Sequence, residues 1–116
     1  AGRKVADVSV AEIHDNFTIS ELIALEEIGL AERGSAGQLT LDGATTLGGA
    51  IPVNTGGGLK ARGHPPGATG VAQAVELVQQ LRRSAGERPV TGATRGLPEN
   101  HGGTGATAVV HLLEVN

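Results

Sequence analysis

Apolar and polar residues alternate from Val8 to Ile13, a period of two that is typical of a β-strand with one buried face. We therefore predict a first strand over residues 5–14. A helix is expected next, from about Ile19 to Ala31, because apolar residues recur along one side of it. That apolar stripe is formed by Leu22, Ile23 and Leu25.

The ends of this helix carry two local signals. Thr18 and Glu21 match a capping box, in which the threonine hydroxyl accepts a hydrogen bond from the N–H of Glu21 and the carboxylate accepts one from the N–H of Thr18. Gly34 is the expected stop of the helix. Residues 35–42 are predicted to form a polar connection.

A second helix is predicted from about Gly67 to Ser84, with Arg82 and Arg83 in its last turn and Gly86 after it. Residues at helical spacing give it one apolar face, made of Val71, Ala74, Val75, Val78 and Leu81. The opposite face is small and only weakly polar, at Ala68, Ala72 and Gln73. A solvated helix would carry Lys and Glu there, so this pattern indicates a helix of the buried type.

Residues 43–70 contain nine glycines, and a brief strand is expected inside them at Ala50–Val53. We interpret the segment as an ordered functional loop and not as a flexible linker, because it runs directly into the second helix and carries polar residues. These are Asn54, Lys60, Arg62 and His64. The unpaired N–H groups at the start of the helix, beside His64, predict an anion or oxyanion site.

The rest of the chain is predicted to form a strand at 89–96, a second glycine-rich turn at 100–105 and a last strand at 106–115. The resulting order of strands and helices is mixed α/β, within a single small domain. There is no internal repeat.

Composition narrows the classes of function. The formal net charge is −3 and no basic cluster is present, which argues against a nucleic-acid partner. No apolar run approaches the ~20 residues of a membrane span, and no secretory signal pattern is visible. Because Cys is absent, there is no disulfide framework, no thiolate zinc site and no cysteine nucleophile, and a cytoplasmic location is expected.

The composition also bears on the core. Phe17 is the only aromatic residue among 116, so the core must be built from Val, Leu, Ile and Ala. This favours one piece of a larger protein, with a face meant to be covered, although a small aliphatic α/β domain is the simpler alternative.

Four histidines are the main candidates for chemistry. His14, His64 and His101 stand at strand ends or in glycine-rich loops, where functional residues concentrate. His111 lies in the middle of a predicted strand and is interpreted as structural. No metal-ligand spacing, phosphate-binding loop or Gly-x-Ser-x-Gly elbow is present, whereas a Ser–His–Asp triad stays open.

Three blocks of the sequence together resemble the C-terminal domain of thiolases. The resemblance is to the sterol-carrier-protein and archaeal-type branch, which includes acetyl-CoA acetyltransferases and proteins named for lipid transfer. The blocks are His14-Asp15-Asn16-Phe17, then Asn54-x-x-Gly57-Gly58-Leu59-Lys60-x-Arg62-Gly63-His64-Pro65-x-Gly67-Ala68-Thr69-Gly70, then Asn100-x-Gly102-Gly103.

The resemblance implies a fold and a chemistry. The fold would be a C-terminal thiolase domain over residues 1–116, incomplete and without the N-terminal half, with a mixed sheet and a central helix between two sheets. Thiolases transfer acyl groups between coenzyme A and a 3-ketoacyl-CoA, so the substrate would be a coenzyme A thioester and no bound cofactor is expected. Members of the family are oligomers.

The resemblance also implies roles for individual residues. His64 would help to make a thiolate of a cysteine in the N-terminal half, and His14 would complete an oxyanion hole with it. Asn100 and Gly102 stand where the family has Cys-x-Gly, so Gly102 would offer its N–H to a second oxyanion hole. Substrate contacts are expected at Phe17, Gly57, Gly58 and His101.

Two departures from the family pattern limit what this chain does alone. It lacks the nucleophilic cysteine, and Asn100 replaces the acid/base cysteine and cannot exchange protons near neutral pH. We therefore expect activity only when an N-terminal thiolase half or a partner subunit completes the site. A start at Ala1 without Met is expected for a processed or partial chain.

Three alternatives stay open from the sequence. The chain is a non-catalytic subunit that binds acyl-CoA or lipid, or it belongs to an aldolase-type relative that acts with an OB-fold, acyl-CoA-binding partner. The third is a structural domain that retains the motifs without the activity.

Overall fold

The computed structural model describes residues 2–115. Four strands are present: β1 (Val10–Glu12), β2 (Arg95–Gly102), β3 (Thr107–Val110) and β4 (Leu113–Glu114). Four helices accompany them: α1 (Thr18–Ile28), α2 (Ala36–Leu41), α3 (Gly58–Arg62) and α4 (Thr69–Leu81), with a single 3-10 turn at Val5–Asp7. The predicted mixed α/β class is confirmed.

β2 is the centre of the sheet. It pairs in parallel with β1 and antiparallel with both β3 and β4. The pairs Glu99↔Val110 and Gly96↔Leu113 follow one register. β3 and β4 are therefore one strand, interrupted at residues 111–112, which is close to the predicted last strand. On the far side of β1, the expected brief strand is reduced to a single parallel bridge between Val53 and Ala11.

Helices cover the sheet on both faces. Residues of one face of β1 and β2 pack with α1 and α2, and this cluster comprises Ala11, Ile13, Leu25, Leu30, Ala31, Ala36, Val53 and Leu97. Residues of the other face pack under α4, in a cluster of Val10, Leu77, Leu81 and Ala93. Gly96 allows this close approach, because a Cβ there would lie 3.1 Å from Leu77 Cδ2.

The predicted strand boundaries are wrong at two places. Only residues 10–12 of the predicted 5–14 strand pair with a neighbour, and Val5–Asp7 forms the 3-10 turn. The strand placed at 89–96 starts at Arg95 and continues through Asn100 and His101, which were predicted to lie in a turn. Gly102 and Gly103 favour a turn by their residue type, but pairing with β1 and β3 extends the strand as far as Gly102.

The helices also differ from prediction at their ends. Phe17 is the N-cap of α1, without a side-chain cap bond, so Thr18 and Glu21 do not form the capping box. Gly29, with φ 87°, ends α1 in place of Gly34, because its N–H bonds to the carbonyls of Leu25 and Glu26. α2 and α3 fall in segments that were predicted to be connections.

α4 packs with the opposite side to the one that its sequence predicts. Val71, Val75 and Val78 are exposed, with 65%, 49% and 36% of their surface accessible. The buried positions are mostly polar: Thr69, Gln73, Glu76, Leu77, Gln80 and Leu81. The predicted apolar face therefore lies away from the sheet, apart from Leu81, and leaves Val71, Val75 and Val78 bare.

Hydrogen bonds explain why this polar face is buried. Gln80 donates from Nε2 to the carbonyl of Arg88 (2.7 Å) and accepts from the N–H of Val90 at Oε1 (2.8 Å). Glu76 pairs with Arg88 and accepts from the Thr55 hydroxyl. Each buried polar group thus has a partner, which removes most of the cost of its desolvation.

The inverted packing of α4 predicts unequal effects of two substitutions. Leu77→Ala should lower the free energy of unfolding by about 2–5 kcal/mol, because it opens a cavity under a fully buried side chain. Val75→Ala, the matched control two residues away, should change it by less than about 0.5 kcal/mol. Urea denaturation followed by circular dichroism measures both. A loss in Val75→Ala as large as that in Leu77→Ala would contradict this packing of α4.

Candidate functional site

Three imidazole rings meet where β1 ends. The ring centroids of His14 and His64 lie 4.9 Å apart, and those of His14 and His101 lie 4.5 Å apart. His14 follows β1, His64 precedes α4, and His101 is in β2. The structure thus brings together three candidates that are far apart in the sequence, with the His14 ring between the other two.

Gln73, on the buried face of α4, determines how the polar groups near His14 are oriented. Its Nε2 donates to the carbonyls of Glu99 (2.8 Å) and Glu12 (3.3 Å), which can only accept. Its Oε1 therefore faces Asn100, whose Nδ2 donates to it at 3.0 Å. The second proton of that Asn100 nitrogen is directed at His14 Nδ1, 2.8 Å away.

It follows that His14 Nδ1 accepts a hydrogen bond and that the ring's proton is on Nε2. Within residues 2–115, His14 Nε2 has no hydrogen-bond partner. His14 is only 2% exposed. Burial lowers the pKa of His14 first, and the nearby imidazoles of His101 and His64 lower it further, against the opposite effect of Glu99 and Asp15. His14 is thus a neutral N–H donor at neutral pH.

His64 has the opposite tautomer. Its Nδ1 lies 2.7 Å from the hydroxyl of Thr69. That hydroxyl donates to the carbonyl of Pro65, so it accepts from His64 Nδ1–H. The lone pair of His64 is therefore on Nε2, where a general base needs it. His14 thus offers a hydrogen-bond donor, Nε2–H, and the neighbouring His64 offers a base, Nε2.

His101 is paired with a buried carboxylate. Its Nδ1 lies 2.9 Å from Glu99 Oε1, and Glu99 Oε2 accepts the backbone N–H of His14 at 3.1 Å. Glu99 is 4% exposed. One carboxylate therefore positions both His14 and His101.

Asp15 joins the first motif to the glycine-rich loop. Both of its carboxylate oxygens accept the N–H of Leu59, at 3.0 and 3.1 Å. Gly58 has φ 61°, and a Cβ there would lie 2.1 Å from Asp15 Oδ2. Gly57, with φ 91°, is the N-cap of α3. Gly58 thus has a structural reason, which is close passage of the chain over Asp15, while Gly57 supplies a left-handed backbone and would bring a Cβ within 2.6 Å of Ala61 Cβ.

A buried ion pair connects the same two segments. Arg62 contacts Glu12 Oε2 at 3.2 and 3.3 Å, two residues before each of His64 and His14. Glu12 is fully buried, and its Oε1 has no partner within the described residues. Burial raises the pKa of Glu12 to about 7, and Arg62 only partly opposes this.

The remaining predicted site residues lie in different surroundings. Phe17, three residues after His14, is 67% exposed. Gly102 is in β2 and is paired with Thr107 of β3. In an antiparallel pair every second residue pair is hydrogen-bonded, and the bond from the N–H of His111 to the carbonyl of Pro98 shows that Pro98 and His111 are such a pair. Gly102 and Thr107 lie four positions further along the same ladder, so the N–H of Gly102 is directed at β3 and bonds there.

Clefts flank the histidines on both faces of the sheet. One of about 300 Å³ lies between α1 and the β2–β3 hairpin and has His101 and Glu99 in its wall. Another of about 300 Å³ lies at the start of α4 and has Asn100 and Gln73 in its wall. A larger cleft, about 520 Å³, is lined by residues 47–50 and 89–91 with Ser9 and Pro52, and has no titratable side chain.

Two further searches concern the described residues alone. Residues 2–115 contain no group of three or more His, Asp or Glu side chains arranged to hold a metal ion. No helix in that part of the chain is long and apolar enough to cross a membrane.

The sequence did not point to several of the residues that organise this site. Gln73 was interpreted only as a weakly polar helix position, and Glu99 was not singled out. A signal was present in both cases. Gln73 is on the face of a helix opposite its valines, and Glu99 is two positions from His101, on the same side of a strand.

The hydrogen-bond chain predicts the effect of Asn100→Asp. A carboxylate cannot donate to His14 Nδ1, so the ring should move its proton to Nδ1 and donate to the new Asp. Nitrogen-15 NMR of the histidine side chains distinguishes the two tautomers. Asn16→Asp, which adds the same charge nearby, should leave Nδ1 unprotonated. An unprotonated Nδ1 in the Asn100→Asp variant as well would contradict the assigned network.

The raised pKa of Glu12 predicts a stability that changes with pH. The folded state holds this proton more tightly than the unfolded state, so stability should fall as pH rises from about 4.5 to about 7. At about 1.4 kcal/mol per pH unit, the loss is on the order of 3 kcal/mol.

Urea denaturation across this range should show the fall in the wild-type chain relative to Glu12→Gln. His14, whose lowered pKa acts in the opposite sense, and Glu21, whose pKa is also raised, are present in both proteins and cancel. Glu114→Gln is the control, because the lowered pKa of Glu114 acts below this window. Parallel curves for wild type and Glu12→Gln would refute the prediction.

Several known proteins are similar to this chain. A family model described as thiolase C-terminal domain-like matches residues 1–115. An acetyl-CoA acetyltransferase of Methanothermobacter thermautotrophicus is 54% identical over 107 residues, covering 92% of this chain and 28% of that protein. Sterol carrier protein 2 of Gallus gallus is 49% identical, covering 94% of this chain and 20% of that protein.

A solved structure named Ltp2-ChsH2(DUF35) aldolase superposes with a TM-score of 0.79 at 30% identity, covering 97% of this chain and 28% of that one. The chain thus spans well under a third of each of these proteins. The resemblance read from the motifs is confirmed by the family match. This chain belongs to the thiolase C-terminal domain-like family.

Proposed function

We propose that this chain supplies the histidine side of the active site of a thiolase-like acyltransferase that acts on coenzyme A thioesters. The observation that carries the proposal is the pairing of a neutral N–H donor, His14 Nε2, with a base, His64 Nε2, on rings 4.9 Å apart. The nucleophilic cysteine belongs to the rest of the subunit or to a partner subunit. A cytoplasmic location, indicated by the absence of Cys, is part of the proposal.

His14 and His64 each have a defined task in this reaction. His64 takes the proton of the cysteine thiol, and the thiolate attacks the thioester carbonyl. His14 Nε2–H donates to the carbonyl oxygen as it gains negative charge, and its burial makes that hydrogen bond stronger than it would be in water. Asn100 holds His14 in the donating tautomer. Since the N–H of Gly102 is bonded to β3, the proposal rests on the histidines.

An aldolase activity is the second candidate, and Asn100 is the observation that favours it. A thiolase needs an acid/base group at the Cys-x-Gly position, whereas cleavage of a 3-hydroxyacyl-CoA needs no acylated cysteine. The aldolase that this chain resembles in structure pairs two named proteins, Ltp2 and ChsH2(DUF35). By analogy the partner here would be an OB-fold protein that binds acyl-CoA.

The test uses the complete subunit that contains this chain. Consumption of acetoacetyl-CoA with free coenzyme A should fall by about 10²–10³-fold in His14→Ala, because one oxyanion donor is lost. His64→Ala should fall at least as far. His111→Ala, an exposed histidine outside the cluster, is the control and should retain the wild-type rate.

The outcomes separate the candidates. Cleavage of a 3-hydroxyacyl-CoA that does not consume coenzyme A identifies the aldolase. Binding of acyl-CoA without turnover of either substrate by the wild-type subunit identifies a non-catalytic binding role and overturns the proposal. Full thiolysis by His14→Ala and His64→Ala would overturn the assigned roles.

A further inference from the structure

The Glu99–His101 pair has no task in the steps described above. Acyl transfer does not need it, but forming or breaking a C–C bond next to the thioester carbonyl requires one further group, which removes a proton from that carbon and returns it. Asn100, at the position where the family has a cysteine, cannot do so. The neighbouring residue, His101, has the arrangement of a general base, and this inference rests on the proposed function.

Two hydrogen bonds and the burial of the pair give His101 that arrangement. Its Nδ1–H donates to Glu99 Oε1 at 2.9 Å, so its lone pair is on Nε2. Both oxygens of Glu99 accept hydrogen bonds from N–H groups, which leaves the carboxylate no need of a proton of its own. The pair is largely shielded from water, because only 12% of the His101 side chain and 5% of the Glu99 side chain are exposed.

The His101 ring is also close to the oxyanion donor. Its centroid lies 4.5 Å from that of the His14 ring, whose Nε2–H is the donor. It forms part of the wall of the cleft between α1 and the β2–β3 hairpin, next to apolar side chains that could contact an acyl chain. These are Ile23, Ala24, Ile28, Ala108 and Val110. A carbonyl oxygen on His14 would therefore have its neighbouring carbon within reach of His101.

We propose that His101 is the acid/base that transfers the α-proton of the acyl-CoA, with Glu99 as its positioning residue. His101 Nε2 takes the proton, and the C–H electron pair moves into the carbonyl to form an enolate whose oxygen accepts from His14 Nε2–H. The imidazolium formed is paired with the Glu99 carboxylate. In the cleavage direction His101 enters the step as the imidazolium, the C–C bond breaks to give the same enolate, and the enolate carbon takes the Nε2 proton and leaves His101 neutral.

Exchange of the α-protons of acetyl-CoA in D₂O tests this step apart from acyl transfer. Proton NMR of the complete subunit with acetyl-CoA measures the exchange, and transfer of the acetyl group to isotopically labelled coenzyme A measures acyl transfer, which needs no α-proton. His101→Gln, which can still donate to Glu99, should lower the ratio of proton exchange to acyl transfer by about 10²–10⁴-fold. His111→Gln is the control.

Glu99→Gln gives a second, spectroscopic readout. The new amide must accept the N–H of His14 with its oxygen, so its NH₂ faces His101 Nδ1 and forces the proton of that ring onto Nε2. Nitrogen-15 NMR should show this reversed tautomer, and proton exchange should fall with it. A merely structural role of Glu99 would not predict the reversal.

The failures can be distinguished. No acyl transfer and no proton exchange in the wild-type subunit would overturn the proposed function and this inference with it. Proton exchange in a folded His101→Gln variant at the wild-type ratio to acyl transfer would overturn the inference alone. A wild-type tautomer of His101 in Glu99→Gln would overturn the positioning role of Glu99.

Discussion

The side-chain amide of Gln73 lies where the parallel pairing of β1 and β2 stops, and the carbonyls of Glu12 and Glu99 accept hydrogen bonds from its Nε2. Pairing that stops in the interior leaves backbone groups to be satisfied, and a buried unpaired carbonyl is costly. Gln73 satisfies both carbonyls, and its remaining acceptor, Oε1, orients Asn100. The tautomer of His14 is thus a consequence of where β1 and β2 stop pairing.

The ion pair between Glu12 and Arg62 also acts through its position. Glu12 and Arg62 precede His14 and His64 by two residues each, so their ion pair keeps the two loops of the site together. A pair of this kind is weak evidence for stability, because desolvation offsets the attraction, and the raised pKa of Glu12 reflects that cost. Its value is geometric: it fixes where the strand end and α3 meet.

Sequence reasoning found the motifs and the fold class but not the side chains that organise them. His14 and His64 could be predicted because each stands in a motif that needs little tertiary information. The packing of α4 could not, since a polar residue such as Gln73 is buried only when the sheet leaves unpaired carbonyls for it to bind. Glu99 was missed for a related reason: it is in a strand whose boundary was misplaced, and its partners come from elsewhere in the chain.

α4 relates the site to the rest of the protein. Its polar face holds the network, while Val71, Val75 and Val78 form a bare stripe that spans about 10 Å at 1.5 Å per residue. Exposure of these valines to water is unfavourable, and burying them would contribute about 25 cal/mol of stabilisation for each Å² of apolar surface removed from solvent. Because the chain spans 28% of its archaeal relative, we expect the remaining part of the subunit to cover this stripe. Docking on one face of α4 would then hold Gln73 in place on the other, so that the orientation of His14 depends on assembly of the two parts.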